Sequence, residues 1–166
     1  MSVNSIVPEF QAANEKYAVS FTKGALPLPP GRKVAVVACM DARLDPAKAL
    51  GLEEGDAHVI RNAGGRAVDA LRSVVISQQL LGTREIVVIH HTDCGMLTFS
   101  DADLKAKIRK DLGEDADHVA FLPFPDVKQS VIDDVAILKK SALVLDVPVT
   151  GFIYDVKTGK IERVEA

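Results

Sequence analysis

The chain holds only two cysteines, Cys39 and Cys94, in 166 residues. Two are too few for a disulfide scaffold, and a reducing cytosol keeps both as thiols, which leaves packing, redox chemistry or metal binding as their work. Basic runs are also missing. Lys and Arg number 20 against 23 Asp and Glu, a formal charge of -3, so nothing matches a phosphate backbone and nucleic acid is not an expected partner. No apolar stretch approaches the roughly 20 residues needed to span a bilayer, so no membrane is expected. The opening "MSVNSIVPEFQAANEKYAVSF" lacks the apolar run of a signal peptide, and no arginine precedes Arg32, unlike a mitochondrial transit peptide. The expected compartment is the cytosol. Internal repeats and low-complexity tracts are absent, and the length suits one domain that buries a core without staples.

What is present is a recurring pattern of apolar runs that end in polar clusters. "KVAVVACMDAR" begins with five apolar residues, Val34 to Ala38, as in a strand buried on both faces of a parallel sheet. "AHVIRNAGG" repeats this with a strand at 57–61 running into a Gly64-Gly65 turn, and "REIVVIHHTDCG" repeats it with Ile86 to Ile89. Between the second and third strands, Ala67, Val68, Ala70, Leu71, Val74 and Val75 share one helical stripe that stops at Gly82. Ser100 can cap a helix bearing Leu104, Ile108 and Leu112 and ending at Gly113. A further amphipathic helix starts at Asp126, with Gln129 three residues on, and "VTGFIYDVKTGKIERV" reads as two strands around a turn. The expected fold is α/β, a single domain with a central mostly parallel sheet flanked by helices. Residues 1–24 form an N-terminal helical arm, 25–31 ("ALPLPPG") a proline-rich connector, and 32–166 the core. The arm can pack on a partner subunit or fold back on its own domain.

Ligands of an open parallel sheet bind at the carboxyl ends of its strands. Cys39 ends the first strand, and His91 and Cys94 follow the third, so residues 55 positions apart can meet there. Two thiolates and a neutral imidazole suit Zn2+, and three protein ligands with one open position is the pattern of a catalytic zinc site. "CMDAR" adds a carboxylate, Asp41, and a guanidinium, Arg43. So close to a metal, Asp41 either coordinates it or accepts a hydrogen bond from its water, and a bidentate pair with Arg43 holds it in the second role.

"CMDAR", "RNAGG" and "HTDCG" together resemble, in order and spacing, the signature segments of the beta-class carbonic anhydrases. With strand and helix order included, the resemblance spans about residues 33–155. It implies one Zn2+ per chain held by Cys39, His91 and Cys94, with Asp41 and Arg43 as the catalytic dyad and Ala63, Gly64 and Gly65 lining the substrate pocket. It implies hydration of carbon dioxide to bicarbonate through zinc-bound hydroxide, in a homodimer or higher multiple of dimers whose N-terminal helix embraces the partner. Some members swing the aspartate onto zinc at lower pH, making Asp41 a fourth ligand in a closed state. Two departures stand out: Ala42 where serine is common, and His90 where the family often has glycine. The chain resembles the compact branch, which also contains carbonyl sulfide and carbon disulfide hydrolases that release H2S at the same kind of site.

Blander readings compete at each position. A cysteine after a strand is usually a buried apolar thiol, and an Asp-Arg pair is usually a surface ion pair of little worth. A double glycine is usually a tight turn. The three motifs together outweigh these readings for Cys39, His91, Cys94, Asp41 and Arg43. His90 is expected on the opposite side of its strand as a packing or interface residue, and His58 and His118 are expected to be structural. A tyrosine-phosphatase loop is excluded because Cys39 and Arg43 are four apart, not six. A non-catalytic zinc-stabilised module and a Cys39/Cys94 redox sensor remain rival classes.

Overall fold

The computed structural model describes residues 5–165. Chain order is α1 (Val7–Val19), β1 (Val34–Cys39), α2 (Pro46–Leu50), β2 (Ala57–Asn62), α3 (Ala67–Leu81), β3 (Glu85–His91), α4 (Asp101–Leu112), α5 (Val127–Lys140), β4 (Val149–Tyr154) and β5 (Ile161–Val164). Single-turn 3-10 helices at Ala63–Gly65 and Gly95–Leu97 follow β2 and β3. The five strands form one sheet in the order β2-β1-β3-β4-β5. The first four are parallel, and only the β4–β5 pair is antiparallel. This is the expected single-domain α/β architecture.

The apolar runs explain the middle of the sheet. Ala35 to Cys39 of β1 and Ile86, Val88 and Ile89 of β3 are buried, as strands covered on both faces must be. One core cluster lies under α3 and α5 and includes Val37, Ala70, Val74, Val88, Val131, Val135 and Leu138. Each Val or Leu among them contributes about 1.5–3 kcal/mol by leaving water. α5 comes so close to β4 that a Cβ on Gly151 would lie 2.3 Å from Val131 Cγ1. The second cluster, on the opposite face, includes Val36, Leu44, Cys39, Ile89, Cys94, Met96 and Phe124. It underlies the motif-bearing loops.

Helix ends follow their capping residues. Gly82 and Gly113 take the left-handed conformation after α3 and α4, and Ser100 forms a complete capping box with Asp103. Asp126 caps α5 through the Gln129 amide at 2.6 Å, but the Gln129 side chain turns to Asp133 instead of reaching back. The helical stripes need two corrections. Val68 is 50% exposed and Leu112 is 72% exposed, because the helical period marks the apolar face without ensuring that another element covers all of it. α4 buries no residue, and neither does α1. The arm touches the body through polar contacts: Tyr17 Oη donates to Glu54 Oε1 at 2.7 Å, and Lys23 pairs with the same carboxylate at 2.7 Å.

Candidate metal centre

Parallel pairing of β1 with β3 sets Ala38 beside Ile89, so the loops leaving both strands emerge at one edge of the sheet. Cys39, His91 and Cys94 converge there, all buried, with their ligand atoms within 4.8 Å of one another. The two sulfurs are 4.0 Å apart, both thiols free. His91 Nδ1 lies 2.9 Å from the Thr92 carbonyl and donates to it, which leaves Nε2 as the lone-pair nitrogen. That Nε2 is buried and has no hydrogen-bond partner among the described residues. A buried nitrogen without a partner is costly unless something else fills its lone pair.

The electrostatics also call for a cation. Cys39 is drawn down to about 4, chiefly because the Cys94 thiol donates to it; burial opposes the shift, while His91 and the Asp41 and Gly64 amides reinforce it. The same bond, with burial, pushes Cys94 up. Burial works against a charged His91 ring, but the Cys39 sulfur, the Thr92 carbonyl and Asp41 outweigh it, and the net shift is upward. Two sulfurs 4.0 Å apart beside a buried imidazole nitrogen are a donor set suited to a divalent ion. Two thiolates and a neutral imidazole balance its charge.

Asp41 lies beside this group, with Oδ2 3.7 Å from His91 Nε2. It is turned toward Arg43: Nε donates to Oδ1 at 3.0 Å and Nη2 to Oδ2 at 2.8 Å, and the Arg43 amide adds a third bond at 2.8 Å. The Arg43 side chain, then its amide, holds the Asp41 carboxyl well below the usual carboxylate range. Arg43 also reaches across the site, giving Nη1 to Asp93 Oδ2 at 2.7 Å and Nη2 to the Asp93 carbonyl at 2.9 Å. Asp93 takes a left-handed backbone at φ 55° to meet it.

Two positioning residues escaped the sequence reading although both lie inside quoted motifs. Asp93 is one. Arg61 is the other: it donates to the carbonyls of Cys39, Asp41 and Leu44 at 2.8–3.0 Å and staples the loop that carries the dyad. Each motif holds a charged residue that is not a ligand, and that was the available signal.

A cavity of about 370 Å³ opens over the cluster, lined by Cys39, Met40, Asp41, Ala63, Gly64, Cys94, Gly95, Met96, Thr98 and Phe99. Ala63 and Gly64 thus face the cavity. Gly65 sits behind it, where a Cβ would lie 2.9 Å from the Cys39 amide nitrogen. His90 is fully buried among polar partners, not at an interface, and His58 bonds Ser77 Oγ at 2.7 Å. His118 is exposed and is not a member of the cluster.

The carbonic anhydrase family model matches residues 34–161. The chain belongs to the beta-carbonic anhydrase family. It is 45% identical over 164 residues to beta-carbonic anhydrase 1 of Mycobacterium tuberculosis, covering 96% of this chain and 98% of the relative. The solved carbonic anhydrase from Glaciozyma antarctica is 54% identical, with a TM-score of 0.90 over 97% of this chain and 99% of that one. A carbon disulfide hydrolase of Acidithiobacillus thiooxidans is more distant, 35% identical over 156 residues, with 81% of this chain and 78% of the relative covered. Beta-carbonic anhydrases use zinc, and this member of the family carries a buried Cys39, His91 and Cys94 group able to bind one metal ion. Among the described residues no helix is long and apolar enough to cross a membrane.

Proposed function

We propose that this beta-carbonic anhydrase hydrates carbon dioxide reversibly to bicarbonate, with Cys39, His91 and Cys94 as its zinc ligands and Asp41 and Arg43 as its dyad. The observation that carries the reading is the buried, partnerless His91 Nε2 beside two sulfurs that share a proton. A Cys39–Cys94 disulfide would leave that nitrogen stranded, so the arrangement favours a metal centre over a redox sensor. Zinc, when bound, acts as a Lewis acid and makes a water-derived nucleophile available near neutral pH.

The chain's own residues do the rest. Asp41 stays ionised and accepts a hydrogen bond from the attacking water, orienting its lone pair toward the carbon. Arg43 occupies both Asp41 oxygens and thereby favours a state in which the carboxylate does not take the fourth coordination position. This argues against a module in which Asp41 permanently fills that position. Asp93 anchors Arg43 from the far side. Ala63, Gly64, Met96 and Phe99 supply the apolar wall on which a small neutral substrate displaces water.

The active assembly is a homodimer or a multiple of dimers. Phe10, Tyr17 and Val19 of α1 are 50–91% exposed, more than a lone arm conceals, and a second copy covers them. The cytosol is the matching compartment, since two free thiols 4.0 Å apart persist best under reducing conditions.

Asp41→Asn tests the dyad. It keeps the shape and removes the charge, so zinc per chain stays near wild type while CO2 hydration falls by about 10–100-fold. An unchanged rate in zinc-loaded Asp41→Asn protein would remove Asp41 from the mechanism.

A further inference from the structure

Arg66, which caps the start of α3, is shared between the core and the wall of the cavity. Its Nη2 donates to Asp134 Oδ1 at 3.1 Å and its Nε lies 3.0 Å from Oδ2 of the same carboxylate, which is fully buried on α5. Oδ2 also accepts from the Ala67 amide at 3.1 Å and has His90 Nε2 3.2 Å away. The Arg66 backbone is fixed as well: Asn62 Oδ1 accepts from its amide at 2.7 Å, and Asn62 Nδ2 donates to its carbonyl at 2.9 Å. From this anchorage Arg66 Nη1 donates to the Leu122 carbonyl at 3.0 Å.

Leu122 belongs to the stretch between α4 and α5, which forms neither helix nor strand. The Phe121 amide donates to Asp101 Oδ1 at 3.2 Å, and the Phe124 amide donates to the Met96 carbonyl at 3.2 Å. Between these ties Leu122 takes a left-handed backbone at φ 60°, a conformation that a leucine keeps only where its neighbours enforce it. Phe124 is held by the same polar group. Its ring stacks on His90 with centroids 5.4 Å apart, and the Arg66 guanidinium carbon is 5.4 Å from its centroid. Phe124 Cε1 and Met96 Cγ would lie 3.2 and 2.9 Å from a Cβ on Gly64, so these three residues pack together, and Gly64 and Met96 line the cavity.

A buried ion pair is a poor way merely to fill a core, since apolar side chains of similar volume do so at least as well. A grip with two ends is a different matter. The planar guanidinium serves a carboxylate and a carbonyl at once, which the single ammonium of a lysine does not. We propose that Arg66 is a positioning residue for the apolar wall of the substrate cavity: anchored on Asp134, it holds the Leu122 carbonyl and the Phe124 ring so that Met96 and Gly64 present a fixed surface to the substrate. The inference rests on carbon dioxide being the substrate of this cavity. A small neutral molecule is held there by apolar contact, so a wall free to shift weakens its binding and leaves the chemical step alone. The bonds of the Arg66 side chain go to Leu122 and Asp134, not to the metal ligands or the dyad.

The test uses full-length, zinc-loaded protein. Arg66→Lys keeps a positive charge opposite Asp134 and gives up the Leu122 carbonyl. Its KM for CO2 rises about tenfold, the effect of roughly one methylene of lost contact, while kcat and zinc per chain hold. A readout independent of turnover is the methyl carbon-13 resonance of Met96 in methionine-labelled protein, identified by its loss in Met96→Leu; the chain has three methionines. That resonance moves in Arg66→Lys, because the Phe124 ring shifts beside it. Arg84→Lys is the control: it gives up bonds to the Gln78 and Thr83 carbonyls at 3.1 and 2.7 Å, neither residue lines the cavity, and both readouts stay at wild type. Should Arg66→Lys fail to fold, the double variant Arg66→Gln/Asp134→Asn removes both buried charges together with the grip on Leu122 and moves both readouts in the same direction. A wild-type KM or an unmoved Met96 resonance in a folded variant would overturn the proposal, and so would a loss confined to kcat. Zinc-loaded wild type that fails to hydrate carbon dioxide would instead overturn the substrate, and this inference with it, whatever the variants show.

Discussion

At the scale of single residues, the centre works by restricting what each atom can do. The Thr92 carbonyl fixes His91 in the tautomer that offers Nε2, and Arg43 takes up both Asp41 oxygens. Gly65 makes a different contribution. It has φ +68°, and its missing side chain lets the turn lie against Cys39, with Ile89 O and Ala38 C also near 3.0 Å from where a Cβ would stand. Those neighbours are backbone and cannot swing away. Gly65→Ala should therefore cost about 1–3 kcal/mol of unfolding free energy and weaken zinc binding with it, which denaturant titration and chelator competition will read. At Gly51, also at positive φ but with nothing within 4 Å of its Cβ position, the same substitution carries only the backbone strain and leaves zinc affinity alone. That Cys39, Asp41, Arg43, His91 and Cys94 come together was legible because metal chemistry needs particular atoms at particular strand ends. Asp93 and Arg61 were not, since a bond from a side chain to a distant carbonyl leaves no periodic trace. The Asp134–Arg66–His90 group joins residues up to 68 positions apart, a separation that no local pattern encodes.

At the scale of elements, the strands were the most legible part. Val34 to Ala38 and Ile86 to Ile89 are uniformly apolar because both faces of a central parallel strand are covered, and helix stops coincide with Gly82 and Gly113. α2 was missed: five residues cannot show a 3.6-residue period, although Asp45-Pro46, an N-cap followed by a proline at the first helical position, marks its start. The α4 cap gives a clean measurement. Ser100 Oγ accepts from the Asp103 amide at 3.2 Å while the Asp103 carboxylate returns a bond to the Ser100 amide at 3.1 Å. Ser100→Ala should lower stability by about 1 kcal/mol, a shift in denaturation midpoint with unchanged slope. Zinc content should not change, because α4 contributes no ligand and buries no residue.

At the scale of the whole molecule, the sheet interior is closed and the arm is open. α1 shares no core with the rest of the chain, yet carries Val7, Phe10, Tyr17 and Val19 exposed. In the proposed dimer a second copy covers these side chains, a destination that one chain's sequence does not encode. Burying one large apolar side chain is worth about 1.5–3 kcal/mol, or roughly 10–100-fold in a dissociation constant. Phe10→Glu should thus weaken the dimer by at least that factor in sedimentation velocity, while the isolated fold remains intact by circular dichroism. A wild-type distribution for Phe10→Glu would place the interface elsewhere.

The proposed reaction needs one zinc ion held by Cys39, His91 and Cys94 and carbon dioxide as the substrate. Zinc per chain, measured on one preparation together with initial rates on CO2 and on carbonyl sulfide near pH 8, tests it most directly. The expected result is about one zinc per chain and CO2 hydration far faster than H2S release. Zinc-loaded protein that releases H2S rapidly but hydrates CO2 slowly would contradict the substrate, and active protein without stoichiometric zinc would contradict the centre itself.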